Sequence, residues 1–115
     1  TRYMVTPELM AKLGPNGYLI NCARGGIVGE KDLYDALKNH VIRAAAVDSY
    51  EKEPCDPKLP LFELDNFWGT PHQAGLSKKA SMACATGAAK AIDDVLNGRQ
   101  PMYPVNHPKE IKNRK

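Results

Sequence analysis

The stretch Leu19-Ile20-Asn21-Cys22-Ala23-Arg24-Gly25-Gly26-Ile27-Val28 decides how the rest of this sequence is interpreted. The segment from Tyr18 to Asn21 is an apolar run that stops at a polar residue. It is too short for a helix and is bounded by turn-forming residues, which predicts a short buried strand. Gly25 and Gly26 allow a tight turn or a close backbone approach. Arg24 is therefore predicted to project from a loop at the carboxyl end of a strand, where open parallel sheets bind ligands. An ordinary strand-to-helix turn explains the same pattern.

The bulk composition restricts the classes of protein to consider. A chain of 115 residues is one domain or a piece of one. Its hydrophobic content of 43% and charged content of 25% are typical of globular proteins. The net charge of +3 is small, so nucleic acid is not an expected partner. A membrane is not expected either, because no apolar run approaches spanning length.

The cysteine pattern predicts free thiols. Cys22, Cys55 and Cys84 lie far apart, are odd in number and form no C-x-x-C pair. A disulfide framework and a metal site are therefore not expected, and a reducing, cytoplasmic compartment fits best.

Helical and strand patterns alternate along the chain. The predicted elements are a short helix that starts at Pro7 after the cap Thr6, strands over 18–21, 42–47 and 67–70, a helix over 30–39, and a long helix from Ser77 to about Leu96. The small residues of the last helix predict close packing on more than one side. The order predicts an α/β fold with a parallel sheet, right-handed crossovers and helices on its faces.

Polar residues follow all three predicted strands: Arg24 the first, Asp48 and Glu53 the second, and His72 the third. The carboxyl ends of parallel strands share one edge of a sheet, so these side chains are expected to converge. A histidine oriented by a carboxylate can exchange a proton with an alcohol or carbonyl, and an arginine can bind a carboxylate. Taken singly, each has a plainer explanation: a surface ion pair, a structural histidine, a turn cap by Asp48 and a solvated charge at Glu53.

Three blocks then stand out together: Leu19 to Val28, Ala46-Val-Asp-Ser-Tyr-Glu-Lys-Glu-Pro54 and Thr70-Pro-His-Gln-Ala-Gly75. They closely resemble, in order and spacing, the signature blocks of the D-isomer-specific 2-hydroxyacid dehydrogenases. That family includes phosphoglycerate dehydrogenases, D-lactate dehydrogenases and glyoxylate reductases. The resemblance implies an α/β fold that forms part of a Rossmann-type doubly wound parallel sheet with flanking helices.

The resemblance also implies roles for particular residues. Arg24 is expected to bind the substrate carboxylate and carbonyl, and Glu53 to orient the catalytic histidine, which is His72. Asp48 is expected beside the nicotinamide carboxamide. The residues that the resemblance places against the cofactor are Cys22, Ala23, Arg24, Asp48, His72, Ala74 and Gly75.

The sequence contains no G-x-G-x-x-G motif, the turn that binds the pyrophosphate of a dinucleotide. Residues 1–100 are therefore interpreted as the carboxyl-terminal half of an NAD-binding domain, and 101–115 as a return segment toward the substrate domain with a basic tail. The expected cofactor is NAD, with NADP left open, and the expected substrate is a small 2-hydroxy or 2-oxo acid. The 115 residues alone are expected to be inactive, and the full-length enzyme is expected to be a homodimer.

Two other functions stay open. The same fold could sense a dinucleotide and recruit a partner without turnover, as corepressors related to this family do. It could also be a structural remnant that is stable only when paired with another chain. The presence of Arg24, Glu53 and His72 favours the enzyme, and turnover of a 2-oxo acid with NADH would separate it from the binding module.

Overall fold

The computed structural model of the chain describes residues 1–106. The chain divides into two compact units, Thr1–Ala74 and a second that begins at Gly75. The basic tail predicted within 107–115 lies outside the described residues, and the domain boundary predicted after residue 100 stays a prediction. The elements are α1 (Pro7–Leu13), β1 (Tyr18–Asn21), α2 (Glu30–Lys38), β2 (Ala44–Val47), a short 3-10 helix (Pro60–Glu63), β3 (Phe67–Gly69) and α3 (Lys78–Leu96).

The first helix begins where the sequence predicts. The Oγ1 atom of Thr6 accepts a hydrogen bond from the backbone N–H of Leu9, and Pro7 occupies the first helical position. The helix buries Met10 completely. It ends at Gly14, whose φ of 72° lies in the left-handed region that glycine adopts without steric cost. The chain can then turn back and enter β1.

The three strands form one parallel sheet in the order β1, β2, β3, which confirms the predicted α/β class. Leu19 pairs with Ala45 and Ala45 with Phe67, and all three are buried. Their neighbours on the opposite face, Ile20 and Trp68, are 72% and 61% exposed. The strand at 18–21 was predicted to be buried, and it is buried on one face only, since the core of the first unit lies on that side.

The second helix packs its predicted apolar face into this core, with Leu33 and Leu37 almost fully buried. Its N-cap, Gly29, has no side chain to cap the helix. The carboxylate of Glu51 takes over this function, because its Oε1 accepts a hydrogen bond of 2.9 Å from the N–H of Glu30. The Glu51 N–H in turn donates to Oε1 of Glu30 at 2.7 Å. The loop after β2 is therefore tied to the start of α2.

The second unit contains one long helix within the described residues. Ser77 caps it, as the sequence predicts, by accepting a hydrogen bond from the N–H of Ala80. Gly98 follows its end with a φ of 72°. The small residues of this helix are largely exposed within residues 1–106, so their close packing on more than one side stays a prediction. None of the helices in residues 1–106 is both long and apolar enough to cross a membrane.

Candidate active site

The candidate site lies at the carboxyl edge of the parallel sheet. The loop after β1 carries Arg24, the segment after β2 carries Asp48 and Glu53, and the loop after β3 carries His72. Because the strands are parallel, all three loops leave the sheet at the same edge. The fold therefore places the four candidate residues in adjacent loops.

The side chain of Asn21 shapes the loop after β1. Its Oδ1 accepts a hydrogen bond from the N–H of Ala23 at 3.1 Å, and its Nδ2 donates to the carbonyl oxygen of Arg24 at 3.0 Å. Asparagine commonly makes this kind of turn, in which its side chain bonds the backbone two residues further on. The Arg24 guanidinium donates to the carbonyl oxygen of Ala23 at 2.6 Å and is otherwise exposed. This turn ends β1 and projects Arg24 outward.

Gly25 lies where the loop after β1 contacts the segment after β2, and only a glycine fits there. A Cβ atom on Gly25 would lie 1.7 Å from the carbonyl oxygen of Tyr50, a distance that no side chain can occupy. The backbones of the Arg24 loop and of the segment after β2 are thus in direct van der Waals contact. This close approach brings Arg24 toward the segment that carries Glu53.

Glu53 and His72 form the central pair of the site. Oε2 of Glu53 lies 2.5 Å from Nδ1 of His72, and Oε1 accepts a hydrogen bond of 3.2 Å from the N–H of Tyr50. The pKa of Glu53 is lowered from its ordinary value, first by the hydrogen bond with His72 and then by that from Tyr50. The positive charge of Arg24 adds a smaller effect in the same direction. Glu53 is therefore held as a carboxylate.

This contact decides which nitrogen of His72 can act on a ligand. The carboxylate faces Nδ1, which favours the tautomer with the proton on that atom. Nε2 then remains for proton exchange with a bound molecule. The two side chains are 45% and 37% exposed, so a ligand can reach them.

Asp48 occupies a different environment from Glu53. It is 2% exposed, and Thr70 Oγ1 donates to its Oδ1 at 2.5 Å. The backbone N–H of Gln73 donates to the same oxygen at 2.7 Å, and that of Ala74 donates to Oδ2 at 2.9 Å. The pKa of Asp48 is lowered mainly by the hydroxyl of Thr70, although burial opposes the shift. Its carboxylate therefore binds the His72 loop, as in the turn-cap alternative that the sequence left open.

The remaining predicted cofactor residues are exposed. Cys22 and Ala23 lie in the loop after β1, and the thiol of Cys22 is free. Ala74 is exposed at the end of the first unit, and Gly75 is the first residue of the second.

Three residues that shape the site were not singled out in the sequence. They are Asn21, whose side chain forms the turn, Tyr50, whose N–H binds Glu53, and Thr70, whose hydroxyl binds Asp48. Asn21 and Thr70 carried a recognisable signal, since each is a short polar residue at the end of a predicted strand. Tyr50 carried none, because its contact uses a backbone group.

Comparison with known proteins identifies the family. Residues 1–74 match the family described as D-isomer specific 2-hydroxyacid dehydrogenase, NAD binding domain. The chain belongs to this family. The match covers the sheet and all four candidate residues, and it ends at Ala74, where the first compact unit also ends.

Similar proteins include dehydrogenases and reductases. The chain is 46% identical over 109 residues to a D-3-phosphoglycerate dehydrogenase of Methanocaldococcus jannaschii, covering 94% of this chain and 20% of the relative. It is 38% identical over 106 residues to a glyoxylate reductase of Thermofilum pendens, covering 92% of this chain and 31% of the relative. The chain thus spans between about a fifth and a third of the length of these curated relatives.

Solved structures give the same assignment. The NADPH-dependent glyoxylate/hydroxypyruvate reductase of Sinorhizobium meliloti, in complex with NADP and malonate, superposes with a TM-score of 0.77 at 28% identity, covering 98% of this chain and 35% of that one. The D-lactate dehydrogenase of Lactobacillus jensenii with NAD+ gives 0.68 at 26% identity, covering 93% and 36%. The sheet and its flanking helices are therefore Rossmann-type.

The carboxyl edge of the sheet carries exposed residues in the loops after β1 and β3. Cys22 and Ala23 are exposed in the loop after β1, and the side chain of His72 is 45% exposed in the loop after β3. No G-x-G-x-x-G turn occurs in the 115 residues, so they do not supply a glycine-rich pyrophosphate turn. Among residues 1–106 there is also no group of three or more His, Cys, Asp or Glu placed to hold a metal ion.

Proposed function

We propose that the protein is a nicotinamide-dependent dehydrogenase that interconverts a D-2-hydroxy acid and the corresponding 2-oxo acid. The observation that carries this proposal is the 2.5 Å contact between Glu53 Oε2 and His72 Nδ1, at the sheet edge that also carries Arg24. A carboxylate, an imidazole and a guanidinium in adjacent loops are the groups needed to hold a 2-oxo acid and to protonate its carbonyl oxygen.

His72 is proposed as the general acid and base. In the direction of reduction, its Nε2 donates a proton to the oxygen that becomes the alcohol, and in oxidation it takes that proton back. Glu53 orients the ring and stabilises the protonated imidazole through its negative charge. The partial exposure of both groups allows the proton to equilibrate with solvent between turnovers.

Arg24 is proposed to hold the substrate. Its planar guanidinium can form two parallel hydrogen bonds with the substrate carboxylate and polarise the neighbouring carbonyl. The turn made by Asn21 fixes the backbone from which Arg24 projects.

The cofactor is proposed to be NAD or NADP, which supplies or accepts the hydride when it is bound. Its nicotinamide end would lie at the carboxyl edge of the sheet. The proposed contact residues are Cys22, Ala23, Arg24, Asp48, His72, Ala74 and Gly75. The 115 residues alone are proposed to be inactive, because they lack a glycine-rich pyrophosphate turn.

We propose a cytoplasmic homodimer that acts on a small-molecule acid and has neither nucleic acid nor a membrane as its partner. The small net charge and the free thiol of Cys22 are in keeping with this. Light scattering coupled to size exclusion on the full-length protein measures the oligomeric state.

The test of the activity uses the full-length protein with NADH or NADPH and a panel of 2-oxo acids, namely glyoxylate, hydroxypyruvate and pyruvate. Reduction should slow as pH rises, and oxidation of the hydroxy acid should slow as pH falls, because the two directions need opposite protonation states of His72. His72→Ala should lower kcat by about 10²–10⁴-fold while dinucleotide binding persists. The exposed Thr86→Val serves as the control.

Two outcomes would contradict this function. Dinucleotide binding without turnover of any 2-oxo acid would instead support the dinucleotide-sensing module. Turnover that His72→Ala leaves intact would remove His72 from the chemistry.

A further inference from the structure

The backbone at His72 has an unusual conformation. Its φ of 54° lies in the left-handed region, which residues other than glycine adopt infrequently. A conformation of this kind persists when surrounding contacts hold it in place. The contacts that hold the loop therefore also determine where the imidazole points.

The loop is anchored on both sides of His72 by one buried carboxylate. The carboxylate of Asp48 accepts a hydrogen bond from the hydroxyl of Thr70, which precedes His72 in the loop. It also accepts hydrogen bonds from the N–H groups of Gln73 and Ala74, which follow His72. Among residues 1–106, the hydroxyl of Thr70 is the side-chain donor to this carboxylate, and the other two donors are backbone groups. Of the three donors, only the hydroxyl belongs to a side chain, so it can be removed without altering the backbone.

The backbone of Thr70 is also hydrogen-bonded to the backbone of His72. The carbonyl oxygen of Thr70 accepts the N–H of His72 at 3.0 Å, and the N–H of Thr70 donates to the carbonyl oxygen of Val47 at 3.0 Å. The residue thus connects the end of β2, the buried Asp48 and the backbone of His72. A displacement of Thr70 would be transmitted to His72 through this hydrogen bond and through the intervening Pro71.

We infer that Thr70 is a positioning residue for His72, whose hydroxyl, held on the buried Asp48 carboxylate, keeps the imidazole aligned with Glu53. The inference rests on the proposed function in that His72 is taken as the acid and base. Thr70 itself needs no contact with substrate or cofactor in this role. It acts through the backbone of the loop, whereas Glu53 acts on the ring.

The ionisation of Asp48 supports this assignment. Its pKa is lowered mainly by the Thr70 hydroxyl, so the carboxylate is the acceptor and the hydroxyl the donor at neutral pH. Hydrogen bonds to a charged acceptor are stronger than those between neutral groups. Serine at this position would retain the donor, while valine would keep the shape and remove it.

The experiment compares Thr70→Val, Thr70→Ser and the exposed control Thr86→Val in the full-length protein. We expect Thr70→Val to lower kcat by about tenfold to a hundredfold, as small misplacements of a reacting group do, with a smaller change in the dinucleotide Kd. Thr70→Ser should restore kcat, and Thr86→Val should match the parent. Hydrogen exchange of the Gln73 and Ala74 amides should be faster in Thr70→Val and parental in Thr70→Ser.

The outcomes separate this inference from the proposed function. If the parent protein shows no turnover, the proposed function fails, and amide exchange together with the NMR signals of the His72 ring still decides whether Thr70 positions His72. Parental kcat or parental exchange in Thr70→Val overturns the inference, as does an equal loss in Thr70→Ser. If Thr70→Val does not fold, Thr70→Cys carries the test, because its weak S–H donor should give an intermediate kcat and parental kcat would contradict the inference.

Discussion

The two carboxylates that follow β2 differ in burial and in the partners they bind. Asp48 is 2% exposed and accepts hydrogen bonds from one hydroxyl and two backbone N–H groups. The side chain of Glu53 is 37% exposed, and it binds the imidazole of His72 and one backbone N–H. Both bind the loop after β3, but Asp48 binds its backbone and the Thr70 hydroxyl, whereas Glu53 binds the His72 ring.

This difference follows from what each environment permits. A buried carboxylate must have its lone pairs satisfied, so its partners become fixed parts of the fold. A partly exposed carboxylate can exchange partners with water and can respond when its neighbour gains or loses a proton. We therefore expect substitution of Asp48 to affect stability and activity together, and substitution of Glu53 to affect the dependence of activity on pH.

Asp48→Asn is expected to have the largest effect. The new amide nitrogen would be a donor facing the donor groups of Thr70, Gln73 or Ala74, so at least one hydrogen bond would be lost and the loop displaced. We expect a lower free energy of unfolding and a fall in kcat of about a hundredfold. Chemical unfolding and steady-state kinetics of the full-length protein measure both, with the exposed Asp65→Asn as the matched control.

The pH dependence of this effect has a defined sign. Because the pKa of Asp48 in the folded protein lies below its ordinary value of 3.8, its contribution to stability is present above that value and is lost as pH falls through the lower folded pKa. The stability difference between parent and Asp48→Asn should therefore narrow in acid. A difference that stays constant from neutral pH to pH values well below 3.8 would contradict the assignment of Asp48 as a carboxylate acceptor.

Glu53→Gln is expected to have an intermediate effect, confined to activity. The amide keeps the shape but removes the negative charge that stabilises protonated imidazole, so the rate of reduction should fall off at lower pH than in the parent. We expect kcat at neutral pH to fall about tenfold, part of what general acid–base catalysis contributes. Rate profiles across pH test this, with the exposed Glu63→Gln as control.

An unmoved pH profile in Glu53→Gln would remove Glu53 as the functional partner of His72. The carboxylates left in the same loop would then be Glu51 and Asp56. Glu51 is already engaged by the hydroxyl of Tyr3 and the N–H of Glu30.

Tyr50→Phe is expected to have the smallest effect, and in the opposite direction. Tyr50 lies between the two carboxylates in sequence, is 5% exposed, and its hydroxyl has no hydrogen-bond partner among the described residues. Burial raises its pKa to about 12. Removing this unsatisfied group should raise the free energy of unfolding by about 1 kcal/mol.

Chemical unfolding of the full-length protein tests this, and Tyr103→Phe is the control because Tyr103 is 87% exposed. A loss of stability in Tyr50→Phe would show that the hydroxyl has a partner in solution.

The sequence alone predicted the α-helices and strands in their order, but not the short 3-10 helix over Pro60–Glu63. Thr6 and Ser77 predicted helix starts, and the apolar runs ending at Asn21 and Val47 predicted the two longer strands, because capping and strand patterning depend on neighbouring residues. The family followed from the three motif blocks. The parallel topology predicted that Arg24, Glu53 and His72 lie at the same edge of the sheet. Their functional roles stay predictions.

Only the tertiary structure decided the contacts between residues distant in sequence. The bond from Thr70 to Asp48 and the approach of Gly25 to Tyr50 each join segments more than twenty residues apart. The exposure of Ile20 beside the burial of Leu19 likewise depends on which face of the sheet the core of the first unit covers. Local propensity carries no information about such pairings, since they arise when the chain packs and each buried polar group must find a partner.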